Sequence, residues 1–146
     1  MFQARIVSLA LALLLAGCGK YSRVALLDAG DGVQLSLWEE TEWEYNRGCF
    51  LQIQLGKDIV MPMTFVGVVP NEKMSFQLYD DGAGLVAVVE KSHPHQVVGM
   101  YDKISRESWP RSGSSESYLS VQKRGLRMIN RLRAAHPGSR FQLSEG

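Results

Sequence analysis

In several stretches between residues 24 and 102, apolar and polar side chains alternate. Val33, Leu35 and Leu37 alternate with Gln34 and Ser36. Cys49, Leu51, Ile53 and Leu55 alternate with Phe50, Gln52 and Gln54, and Met74, Phe76 and Leu78 with Ser75, Gln77 and Tyr79. A period of two sends successive side chains to opposite faces of a sheet, so each stretch predicts a half-buried strand. Residues 24–27, 59–61 (ended by Pro62), 64–69 and 97–102 read as further strands. Residues 85–89 are apolar throughout, as expected of a central strand. Gly30-Asp31-Gly32, Gly56-Lys57-Asp58, Pro70-Asn71-Glu72-Lys73 and Asp80-Asp81-Gly82 punctuate the run, and the Asp-Gly pair predicts a tight hairpin. Residues 101–109 read as strand, turn and strand. Turns spaced by roughly 8–12 residues predict a mainly β domain, an antiparallel sandwich or small barrel.

The period changes after a Ser/Gly loop at 110–115. A helix over about residues 116–135 is expected, with Ser114 or Ser115 as N-cap and Glu116 in the first turn. Pro137-Gly138 stops it, and His136 is expected to cap its end. Tyr118, Val121, Met128, Ile129 and Leu132 are read as one face of this amphipathic helix. Lys123, Arg124, Arg127 and Arg131 are read as the opposite, solvated face, and no acid occurs from 117 to 144. Residues 140–143 read as a last short strand.

The N-terminus follows a different pattern. Arg5 precedes an apolar run over residues 6–16 interrupted only by Ser8, and small residues lead to Cys18. That run is shorter than the roughly 20 residues a membrane-spanning helix needs and has the three zones of a secretory signal. Leu15-Ala16-Gly17-Cys18 resembles the lipobox of bacterial lipoproteins at every position. The resemblance covers residues 1–18 only. It implies a signal peptide at 1–17, cleavage before Cys18, acyl chains on the cysteine, a spacer at 18–23 and one globular domain at 24–146. Gly19 in place of an aspartate after the cysteine implies the outer membrane, facing the periplasm, rather than the inner membrane.

Cleavage removes Arg5 and no acid, and the whole chain carries 16 Lys plus Arg against 15 Asp plus Glu. The mature charge is therefore balanced, which gives no electrostatic reason to bind nucleic acid. With Cys18 acylated, Cys49 has no partner within the chain, and a buried, inert thiol is expected. Residues 38–45 interleave aromatics with glutamates. Trp38, Trp43 and Tyr45 are candidate binding residues in an aromatic and acidic patch for a cationic or sugar partner, but the favoured reading is a strand with aromatics inward and carboxylates in solvent.

His93-Pro94-His95 is the closest histidine pair but lacks a recognisable ligand set around it, so no metal or cofactor is assigned. No serine sits in a nucleophile elbow, and no catalytic residue is assigned. The expected role is binding or assembly at the envelope, with the membrane met through the N-terminal lipid and an envelope protein as partner. One alternative is an envelope hydrolase or metal-dependent enzyme using His93, His95 and glutamates from 39–44. The other is a structural protein meeting anionic membrane or wall through Lys123, Arg124, Arg127 and Arg131.

Overall fold

The computed structural model describes residues 20–40, 46–70, 75–91, 96–110 and 115–144. Strands β1 (Tyr21–Gly30), β2 (Val33–Glu40), β3 (Asn46–Leu55) and β4 (Asp58–Pro70) pair antiparallel in chain order as a first sheet. Strands β5 (Phe76–Asp80), β6 (Leu85–Glu90), β7 (Gln96–Asp102) and β8 (Ser108–Trp109) form the second. Helix α1 (Tyr118–Ala135) leads to β9 (Gln142–Leu143), which runs parallel to β7. β8 and β9 share one edge of β7: β8 pairs with Met100 and Tyr101, β9 with Gln96 and Val97. The fold is mainly β and sandwich-like, without barrel closure; β1 and β4 stay as edges of the first sheet.

The layers stack in the order first sheet, second sheet, helix. Val86, Val88, Val98 and Tyr101 pack against Leu35, Leu37, Leu51, Ile53 and Met61 between the sheets. Leu85, Ala87, Val89, Val97, Met100 and Trp109 pack against Met128, Ile129 and Leu132 beneath the helix. β6 is thus covered on both faces, which is why its sequence shows no alternation. Two glycines let the layers approach. A Cβ on Gly99 would lie 2.0 Å from Leu51 Cδ2, and one on Gly125 would lie 2.5 Å from Trp109 Nε1. Glycine inside a helix costs about 1 kcal/mol relative to alanine; at 125 the Trp109 indole fills the space that alanine would need.

Several expectations change. The two strands expected on either side of Pro62 are one, β4. Leu51 pairs with Thr64 and Ile53 with Met61, so Pro62 and Met63 together oppose Gln52. A bulge on an edge strand asks no hydrogen bond of the proline. The first strand begins at Tyr21, inside the expected spacer. The N-cap is Ser117, which accepts from the Ser120 amide at 3.3 Å, rather than Ser114 or Ser115. Tyr118 is 73 % exposed rather than on the packed face. The expected Asp31-Gly32 hairpin turn is present with both residues at positive φ, 54° and 78°. His136 does close the helix, donating its amide to the Leu132 carbonyl at 3.0 Å.

The starts of β1 and β3 and the ends of β2 and β4 lie at one end of the first sheet, where Tyr21 pairs with Glu40 and Asn46 with Pro70. Lys20, the first described residue, leads into β1 at that end.

Candidate docking faces

The inward face of the first sheet is made by the apolar phase of each alternation. Its outward face near the Tyr21 end carries residues that break the polar phase. Register sets them side by side: Arg23 opposite Trp38, Trp38 opposite Phe50, and Phe50 opposite Phe65, one from each strand. Tyr21 joins them diagonally. Its ring meets Phe50 edge-on at 5.2 Å between centroids, and Phe50 meets Phe65 edge-on at 5.6 Å. Edge-to-face pairs of this kind contribute about 0.5–1.5 kcal/mol each. The Arg23 guanidinium sits 5.8 Å from the Trp38 ring centroid, within cation–π range. Lys20 pairs with Glu40 at 3.3 Å. Tyr21 and Phe65 are 38 % and 42 % exposed, and no further described layer covers this face.

The Trp38 indole N–H is buried without an acceptor among the described residues. Trp38→Phe removes that orphan donor along with some packing, so the two effects oppose. The net stability change in urea unfolding is expected to stay within about 1 kcal/mol. A loss of about 3–5 kcal/mol, as in a core truncation, would contradict this account.

The basic residues of α1 do not form one free face. Arg124 lies four residues before Met128, hence on the packed side, and is buried; the expectation that it faces solvent opposite the apolar stripe is corrected. Its Nε donates to the Ser108 carbonyl at 2.6 Å, and its two terminal nitrogens bind Glu116, one at 2.8 Å. Arg127 pairs with Glu107. Arg131 donates from Nε to Asp81 at 3.0 Å and from Nη1 to Asp102. Arg133, not singled out by its sequence context, holds the Phe141 carbonyl from Nε and Nη2 at 3.1 and 2.6 Å. Lys123 is exposed, in a stripe with Leu119 and Leu126.

Asp81 also accepts the Ala83 and Leu85 amides at 2.8 and 3.0 Å, and Asp102 accepts those of Ile104 and Ser105 at 2.9 and 3.3 Å. Burial alone would raise both carboxyls. At Asp81 the Ala83 and Leu85 amides and then Arg131 outweigh it; at Asp102 Arg131 leads, followed by the Ile104 and Ser105 amides. Both carboxyls are held below the usual carboxylate range. The cluster fastens α1 to the β5–β6 and β7–β8 turns.

Cys49 is free and buried. Burial, then the carboxylates of Glu39 and Glu90, push its thiol up to about 12, which disfavours the thiolate that nucleophilic or metal chemistry requires. Among the described residues, no group of three or more His, Cys, Asp or Glu side chains could hold a metal ion. Cys18, Trp43, Tyr45, Glu42, Glu44, His93 and His95 lie outside the described residues.

Tyr21, Arg23, Phe50 and Phe65 escaped the sequence reading because register between strands, not spacing along the chain, assembles them. The available signal was Phe50, an aromatic in the phase otherwise held by Gln52 and Gln54. No family description, curated protein or solved structure matches the chain.

Proposed function

We propose that the protein is a lipid-anchored cell-envelope protein with a binding or assembly role, held through Cys18 at the outer membrane and facing the periplasm. The observation that carries the reading is the junction between anchor and fold. Leu15-Ala16-Gly17-Cys18 is followed by Gly19 and Lys20, and β1 then begins at Tyr21. An acylated cysteine placed there fixes a β-domain directly at a bilayer. The partner is an envelope protein. On the helix layer, Leu119, Lys123 and Leu126 recur at the spacing of one helical stripe and stand exposed, an apolar and cationic surface suited to an acidic amphipathic segment.

In cells fed labelled palmitate, the wild-type chain is expected to take up label and stay with the membrane fraction, whereas Cys18→Ser does neither. One acyl chain holds only marginally, and two or more hold stably. A wild-type product that is unacylated, with the residues before Cys18 still attached, overturns the anchor. A photo-crosslinker at position 126 is expected to give a discrete protein adduct in intact cells; finding none overturns the binding role of that stripe.

A further inference from the structure

We propose that the outward face of the first sheet, at its Tyr21 end, lies against the bilayer surface as an interfacial aromatic belt and sets the orientation of the domain. This rests on the lipid-anchor reading. Strands are about 4.8 Å apart, so the row Arg23, Trp38, Phe50 and Phe65 spans roughly 14 Å across all four strands.

The first argument is reach. Three chain steps separate Cys18 from Tyr21, at most about 11 Å when fully extended. The headgroup zone of one leaflet is about 5–8 Å thick. The Tyr21 end of the sheet is therefore confined to the membrane surface and cannot stand away from it.

The second argument is chemistry. Tyrosine and tryptophan combine an apolar ring with a polar tip and partition to the membrane–water boundary. The belt supplies the exposed Tyr21 in this role, with the rings of Trp38, Phe50 and Phe65 as its apolar body, and a cation, Arg23, that complements anionic headgroups. Glu40, opposite Tyr21 in the register, is paired to Lys20, which reduces its repulsion from an anionic surface. The third argument is exclusion of the basic helix. α1 is the outermost layer on the opposite side, and Arg124, Arg127 and Arg131 are engaged with Glu116, Glu107, Asp81 and Asp102. With the belt on lipid, the stripe of Leu119, Lys123 and Leu126 points into the periplasm, open to a partner.

The test uses the purified mature protein in vesicles of phosphatidylethanolamine and phosphatidylglycerol, with benzoylphenylalanine in place of Phe65 or, separately, of Leu126. Both positions are exposed, so both chains should fold. Illumination is expected to give a phospholipid adduct at 65 several-fold more abundant than at 126. No lipid adduct at 65, or equal yields at the two positions, overturns the belt. A protein adduct at 65 in intact cells, in place of lipid, also overturns it and assigns the face to a protein partner. Intact mass reports acylation separately. Where the chain proves unacylated, the anchor reading fails, and the same vesicle measurement on chain conjugated through Cys18 to a maleimide phospholipid decides the belt.

Discussion

Replacing Arg131 with methionine is expected to cost about 2–3 kcal/mol at pH 7, and to move acid unfolding to higher pH. The magnitude follows from what stays behind. Asp81 and Asp102 have side chains only 5 % and 8 % exposed, and both lose their cation. Breaking a fully buried pair costs about 3–5 kcal/mol; the lower figure here reflects an Arg131 side chain that is 34 % exposed and partly screened by water. Methionine keeps the apolar stem, so the loss reports the charge rather than the packing.

The sign of the pH effect follows from the two carboxyls being held low in the native state. Such groups contribute stability in full above the unfolded carboxyl value of about 4, and lose it as pH falls through the lower native value. Without Arg131 the native values rise, so the stabilisation disappears at a higher pH. Urea unfolding at a series of pH values from 7 to below 4 should show the difference between wild type and Arg131→Met shrinking as the carboxyls protonate. A difference constant across that range would mean that the arginine acts through packing and not through the two aspartates.

The role of these arginines also shows where sequence reading stops. The lack of any acid from 117 to 144 suggests a solvated basic face. The acids come from elsewhere: Glu116 is eight residues from Arg124, Glu107 is 20 from Arg127, and Asp102 and Asp81 are 29 and 50 from Arg131. Pairing over such separations is a product of the fold and leaves no local pattern. Arg124 was the legible exception, since a residue four before Met128 shares its face.

The strands were legible for the opposite reason. Val33, Leu35 and Leu37, or Leu51 and Ile53, declare their buried face within one short segment, and the Asp31-Gly32 turn declares its own geometry. The second sheet's two-sided burial was visible in residues 85–89, yet which layer lay on which side was not. The aromatic row combines both cases. Each member sits in a recognisable strand, but Arg23, Trp38, Phe50 and Phe65 become neighbours only through three separate registers.

The contact between the two sheets should be the least forgiving point of the fold, and Gly99 tests it. Gly99→Ala places a methyl where Leu51 Cδ2 now sits, and Leu51 is fully buried, with Val88 and Tyr101 in the same core cluster. The Trp109 carbonyl at 3.4 Å bounds the other side of the new methyl. Leu51 must change rotamer or the sheets must part, and overpacking of this kind costs about 1–3 kcal/mol. Leu51→Ala errs in the other direction, opening a cavity at a cost of about 2–5 kcal/mol. Combined, the two faults offset, because the alanine at 99 enters space vacated by the leucine. The double variant should therefore be more stable than the summed single losses imply, by about 1–2 kcal/mol, within the range of couplings between touching residues. Denaturant unfolding of the four chains in this cycle measures that coupling. Strict additivity would show that the sheets do not meet at this pair, and the layer order would then have to be redrawn.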